Sequence, residues 1–314
     1  MKLTGAFQPI PRVYPLADGS VTLEDFEIEW ELGGPGGMFD RHLNENSFDV
    51  FEYGLSRYLG GVRRDGWRPI PVFLSWPMQL LANILVSDSS PLRSWSDLAG
   101  RRFGLSEFEM TAGLWLRIIL KSLYGIQPSQ LSWVSRSPAR ESGSGAMPGV
   151  MVNYLQPGQN FASLLRQGDI DAAFVENAPN ALRDGGLRQL LAPSQLFGLF
   201  AEFKRKTGAR PINHTVIVQQ ALLDEHPHLA GDLYRLFERA KFESYNRARR
   251  AADGYLLLPE DDFARQAGVY GDDPYPFGLE ANGPTLDLLL ATMVEEGMLA
   301  QRPDLRALFA EPDR

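Results

Sequence analysis

Histidine is the side chain whose charge changes most readily near neutral pH, and this chain carries only four, at positions 42, 214, 226 and 228. His214 has the most informative position. It closes the run Arg210-Pro211-Ile212-Asn213 and opens the β-branched stretch Thr215-Val216-Ile217-Val218, so an irregular segment enters a strand there. A proton donor and a structural imidazole both fit that place. His226 and His228 flank Pro227 at a helix start and read as solvent-exposed or capping groups; His42 follows a Gly-rich stretch and reads as loop surface. With no cysteine, disulfides, thiolate metal sites and cysteine nucleophiles are excluded.

Carboxylates supply the second set of candidates. Glu52 falls just past the strand Phe48-Asp49-Val50-Phe51, where it can hold a proton or orient a phenol, or serve as a capping or surface group. Asp49 and Glu52 cannot both point inward on a simple pleat. Glu107 follows the strand Phe103-Gly104-Leu105 and precedes Met110-Thr111-Ala112, where a helix begins. Thr111 fits the cap of that helix, whose free amides can receive a carboxylate without a cation. Glu176 and Asn177 end a further strand, fitting either substrate contacts or structural ones, and Tyr275 lies in the tight loop Gly271-Asp272-Asp273-Pro274-Tyr275-Pro276 as a site residue or a loop anchor. Asp272 and Asp273 are adjacent but have no clustered histidines, so no metal ligand set is expected.

These residues need elements to position them, and strand and helix signals alternate along the 314 residues, which favours an α/β architecture. Pro71-Val72-Phe73-Leu74 and Ile84-Leu85-Val86 read as further buried strands. Residues 111–124 form a helix with Trp115, Ile118, Ile119 and Leu123 on one face, stopped by Gly125. Asn160 caps a short helix that Gly168 ends, and Asp169 to Val175 reads as a strand. The Gly-, Pro- and Ser-rich stretch 134–160 reads as a long surface connection. Later helices carry Leu229, Leu233, Leu236, Phe237 and Ala240, then Leu286, Leu289, Leu290, Met293 and Val294. Asp plus Glu number 39 against 31 Lys plus Arg, a net charge of -8 that removes the basic field nucleic-acid binding requires. No apolar run approaches the roughly 18 residues of a membrane span. The opening MKLTGAFQPIPRVYPL lacks a secretory h-region, so a cytoplasmic location is expected.

Five segments together resemble a known family. They are Phe48-Asp49-Val50-Phe51-Glu52 with Tyr58-Leu59; Glu107-Phe108-Glu109-Met110-Thr111-Ala112 with Trp115 and Arg117; Gly168-Asp169-Ile170-Asp171-Ala172; Thr207-Gly208 to Pro211-Ile212-Asn213-His214; and Gly271-Asp272-Asp273 with Pro276-Phe277-Gly278. The chain resembles the 4,5-dihydroxyphthalate decarboxylase family, which implies a two-lobed α/β fold of the type II periplasmic-binding-protein class with an interlobe cleft. On that template residues 1–88 plus 214–314 make lobe one and 89–213 lobe two, with crossings near Ser87–Pro91 and Arg210–His214.

The resemblance implies a cofactor-independent decarboxylase for a hydroxylated aromatic or related small carboxylate. His214 is then the candidate general acid or substrate ligand, with Glu52 and Glu107 as further catalytic candidates; Thr111, Arg140, Glu176, Asn177 and Tyr275, and Ser75 and Trp76 where the family's signature breaks, are the candidate substrate contacts. No metal, cofactor, nucleic-acid or membrane partner is implied, and homo-oligomerisation stays open. One departure bears on the substrate: where the family reads Pro-Ser-Arg and then Phe-Arg-His, this chain reads Leu74-Ser75-Trp76-Pro77-Met78-Gln79-Leu80. That wall is less positive and suits a dicarboxylate less well. A non-catalytic solute-binding protein and another lyase or rearrangement enzyme on the same scaffold are the alternatives.

Overall fold

The computed structural model describes residues 1–33, 38, 41–42, 45–62, 65–74, 81–136, 147, 149–175 and 178–310. Among them the strands run, in chain order, β1 (Lys2–Phe7), β2 (Glu27–Leu32), β3 (Val50–Gly54), β4 (Trp67–Phe73), β5 (Ile84–Ser87), β6 (Arg102–Leu105), β7 (Ser132–Ser135), β8 (Val152–Tyr154), β9 (Ala172–Phe174), β10 (Leu187–Gln189) and β11 (His214–Gln219). The helices that position the site are α1 (Leu55–Leu59), α2 (Thr111–Tyr124), α3 (Phe161–Gln167), α4 (Leu229–Ala252) and α5 (Gly283–Glu295).

Two sheets form, ordered β2-β1-β3-β11-β4 and β10-β5-β9-β6-β7-β8. In the first, β3 is buried on both faces, as a central strand must be, whereas the edge strand β2 keeps glutamates 27, 29 and 31 on its outer side. Strand β11 runs antiparallel to both β3 and β4, with His214 opposite Gly54 and Thr215 opposite Phe73. The C-terminal ends of β1, β3 and β4 and the start of β11 therefore share one edge. In the second sheet β6 is parallel to β7 and β9, so its ligand-facing edge is the end that carries Ser106 and Glu107.

Strand β5 pairs with β9 and β10, which puts Ile84–Ser87 in the second sheet. The first crossing thus precedes Ile84 rather than falling at Ser87–Pro91, because a strand belongs to the ladder that satisfies its backbone. The C-terminal region is also divided. Helix α4 packs Leu233, Leu236 and Phe237 on the first sheet, while α5 buries Leu286, Leu289 and Met293 in the same core as Trp115 and Leu120 of α2. The stretch 134–160 is more than a connection, since Val152–Tyr154 adds β8 to the sheet edge.

Local stops fall where the sequence places them. Gly125 and Gly168 both take left-handed φ values, 69° and 79°, and close α2 and α3; the Asn160 side chain caps α3 by accepting from Ser163 N–H at 2.9 Å. Trp115, inside α2, donates its Nε1–H to the Ile212 carbonyl at 2.7 Å. The second sheet's main helix thereby fixes the segment that leads into His214. Among the described residues no helix is long and apolar enough to cross a membrane.

Candidate functional site at the sheet edges

Glu52 is the starting point because β3 carries it into the interior, where it is 0% exposed. A buried carboxylate must be hydrogen-bonded or neutralised. Register supplies the partners: Val216 lies opposite Glu52 and His214 opposite Gly54, so side chains 52 and 214 are diagonal neighbours on one face. Glu52 Oε1 is 2.7 Å from His214 Nδ1, and Oε2 accepts from Gln8 N–H at 2.8 Å at the end of β1. The carboxylate assigns the proton to Nδ1, leaving Nε2 to accept from the Asn213 side-chain amide at 3.2 Å. The Gln8 side-chain amide is 3.1 Å from the protonated Nδ1, so its oxygen is the atom that belongs there. Glu52 sits within β3, not past it, because β1 and β11 pair with the strand on both sides. Asp49 has a separate task, accepting from the backbone and hydroxyl of Thr4 at 2.8 and 3.0 Å.

Arg12 follows β1 and approaches the same edge. Its Nη2 donates to the Leu74 carbonyl at the end of β4, and its guanidinium lies 3.8 Å over the Tyr275 ring. Its Nε is buried without a hydrogen-bond partner, and no carboxylate forms an ion pair with it among the described residues. Burial holds its pKa below the ordinary arginine value, while the fields of Tyr275, Tyr245 and Glu52 act the other way. The side chain nevertheless retains some exposed surface, as a group lining an opening does.

Tyr275 packs its ring against Arg12 and is tied into its own loop. Asp273 Oδ1 accepts from Tyr275 N–H at 3.1 Å and from the Tyr245 hydroxyl at 2.9 Å, while Oδ2 pairs with the buried Lys241 at 2.5 Å. Burial, then the Asp273 charge, pushes the Tyr245 phenol well up. Asp273 is therefore committed to an ion pair, and among the described residues no three His, Asp or Glu side chains gather as a metal site.

Across the junction, Thr111 is the first helical residue of α2 and not its cap; the cap is Met110, with no side-chain bond. The Thr111 hydroxyl instead accepts from Ser56 N–H at 3.2 Å and lies 2.8 Å from the Ser56 hydroxyl, tying α2 to α1. Glu107 is ion-paired with Arg57 of α1. Behind this loop, Arg117 donates to both oxygens of Glu296 and, through Nη1, to the Phe108 carbonyl at 2.8 Å. Burial holds the Glu109 carboxyl above its ordinary value, with the Glu107 charge adding and Arg117 and Arg57 opposing.

Glu52 and His214 are thus in direct contact, and Leu55 N–H donating to the Asn213 carbonyl at 3.0 Å links their neighbours to Ser56 and Thr111. Ser75, Trp76, Arg140, Glu176 and Asn177 lie outside the described residues. His42 is buried and stacked on Phe51, 3.9 Å between ring centroids, because residues 41–42 fold onto the back of β3. Sequence reasoning overlooked Gln8, Arg12 and Ser56. The signal for the first two was available: they follow an apolar strand, at the edge where α/β sheets bind ligands.

No protein-family model matches the chain. It is 28% identical over 320 residues to a 4,5-dihydroxyphthalate decarboxylase of Comamonas testosteroni, covering 98% of this chain and 96% of that protein. A Pseudomonas putida protein of the same name is 27% identical over 182 residues, 55% of this chain and 70% of the relative. Among solved structures, the periplasmic aliphatic sulphonate binding protein SsuA from Escherichia coli superposes with TM-score 0.57 at 18% identity, covering 100% of this chain and 93% of that one. The ligand-binding component of an ABC-type import system from Staphylococcus aureus gives 0.56 at 12%, covering 99% and 97%. A desulfurization enzyme gives 0.51 at 17%, covering 99% and 96%. The chain therefore has the type II periplasmic-binding-protein fold and is similar over nearly its whole length to a protein named 4,5-dihydroxyphthalate decarboxylase, and over about half of it to a second.

Proposed function

We propose that this protein is a cofactor-independent carboxy-lyase for a hydroxylated aromatic or related small carboxylate, working in a cleft between two lobes that each carry one sheet. The observation that carries the reading is the buried Glu52–His214 pair at the first sheet's ligand edge. In a neutral imidazole the Nδ1–H is held by Glu52, so a second proton enters at Nε2, with the Asn213 side-chain amide giving up its contact there. That Nε2 proton passes to the ring carbon bearing the leaving carboxylate. The carbon–carbon bond then breaks, its electron pair restores the aromatic ring, and carbon dioxide departs; His214 is left neutral and is reprotonated from water. Lobe closure excludes water and strengthens these fields.

Thr111 and Tyr275 belong to the substrate wall, and the sequence offers Ser75, Trp76, Arg140, Glu176 and Asn177 as further candidates for substrate contact. Glu107, neutralised by Arg57, supports that wall and is not assigned to proton transfer. Non-catalytic binding of a small carboxylate is the second reading, favoured by the binding proteins among the structural neighbours. A carbon-dioxide release assay over hydroxylated benzoates and phthalates separates the two. Turnover that disappears in His214→Gln supports the lyase; tight binding with no carbon dioxide from any of them supports the binding protein.

A further inference from the structure

Among the described residues, the cations drawn into the interior are of two kinds. Arg117 and Lys241 each face a carboxylate, Glu296 and Asp273, so their charge is settled within the chain. Arg12 has no such partner among the described residues: one nitrogen bonds a carbonyl, a tyrosine ring covers one face, and Nε is buried without a partner. A desolvated guanidinium left in that state is costly unless an anion completes it. Arg68 also bonds only a carbonyl, that of Phe309, but it lies at the far end of β4, opposite Val218 and away from the His214 edge. Arg210 has donated to the carbonyls of Asp273 and Pro274. Arg12, by contrast, approaches the edge shared by the ends of β1 and β4, where its guanidinium bonds the Leu74 carbonyl.

We propose that Arg12 is the specificity-determining anchor for a substrate carboxylate, and that the carboxylate it holds is one that remains on the product. This deepens the lyase reading and rests on it for the second clause. The chemistry of the step sets the choice. A carboxylate clamped by a guanidinium is stabilised as an anion, and losing carbon dioxide from it would forfeit the ion pair as the transition state forms. Holding a different carboxylate costs nothing in that step, because the contact is equal before and after. On this assignment one carboxylate is released at His214 while the other stays at Arg12.

Calorimetry with two probes, 3,4-dihydroxybenzoate and catechol, tests the anchor, and carbon-dioxide release from 4,5-dihydroxyphthalate tests the reaction. Arg12→Met is expected to weaken 3,4-dihydroxybenzoate by about 10- to 100-fold and catechol by no more than about 3-fold, with KM rising more than kcat falls. Arg12→Lys keeps the charge without the planar fork and should recover part of the loss. Thermal melts of both variants accompany the titrations. Equal weakening of both probes, unchanged affinity for the benzoate, or a wild-type chain that binds no benzoate overturns the assignment. A loss of 4,5-dihydroxyphthalate affinity in Arg12→Met with full affinity for 3,4-dihydroxybenzoate places Arg12 on the leaving group, which also overturns it. Selective weakening of the benzoate without carbon dioxide from any substrate leaves the anchor standing and removes the decarboxylase reading.

Discussion

Two of the ionisable clusters taken out of water among the described residues are finished to different degrees. The Arg117–Glu296 pair, 1% and 3% exposed at the side chains, uses both carboxylate oxygens and adds the Phe108 carbonyl as a further acceptor. Across the sheet edges, Glu52 and His214 are joined at 2.7 Å, yet His214 keeps 13% of its side chain exposed and the nearby Arg12 keeps an unpaired Nε. A cluster that only braces the fold gains by satisfying every group, since each unmet one costs free energy. A site that must receive a ligand leaves part of that satisfaction to the ligand. Incomplete pairing beside complete pairing is thus a positional clue to function.

The comparison is broken most severely at His214. His214→Gln keeps a donor for the buried Glu52 but cannot deliver a proton, so carbon-dioxide release should fall by about 10²–10⁴-fold with little change in the thermal midpoint. Activity within a few-fold of wild type would take His214 out of the mechanism.

Glu296→Ala attacks the finished cluster and should act the opposite way. Leaving Arg117 buried and unpaired is expected to cost about 3–5 kcal/mol of stability, measured by urea unfolding. Replacing both partners with Met and Leu should restore most of that loss. If the single variant unfolds at the wild-type urea midpoint, the pair is not the brace described.

Thr111→Val tests the tie between the lobes at a smaller scale. The variant leaves Ser56 N–H without its acceptor, while the Ser56 hydroxyl keeps the Glu109 carbonyl at 3.3 Å, for an expected loss of about 1–3 kcal/mol in the same unfolding experiment. A loss of helix α2 by circular dichroism would show that Thr111 acts as a cap after all.

Glu109 gives the smallest effect and a defined pH window. Its carboxyl titrates higher in the folded chain, so its stability contribution is full below the unfolded value near 4.5 and is lost as pH rises through the folded one. Glu109→Gln, which has no charge to bury, should melt higher than wild type at pH 7, with the difference closing towards pH 4. A difference that grows on acidification would reverse the assigned sign.

Residue order alone determined the parts of this protein governed by neighbours a few positions apart. Helix 111–124 and its stop at Gly125, the Asn160 cap, and the strand opening at His214 follow from periodicity, side-chain capping and glycine's left-handed freedom, all short-range effects. The family resemblance added the fold, because its segments span most of the chain. What only the tertiary structure decided is which charge meets which: Glu52 meets His214 across 162 positions and Arg117 meets Glu296 across 179. Thr111 reads as a cap by local rules and becomes a tie to Ser56 only because two sheet edges abut. Arg12 drew no reading from the sequence, and its place over the distant Tyr275 ring is set only by the fold. Such contacts are set by strand register and by where the chain crosses between sheets, and no local pattern encodes either.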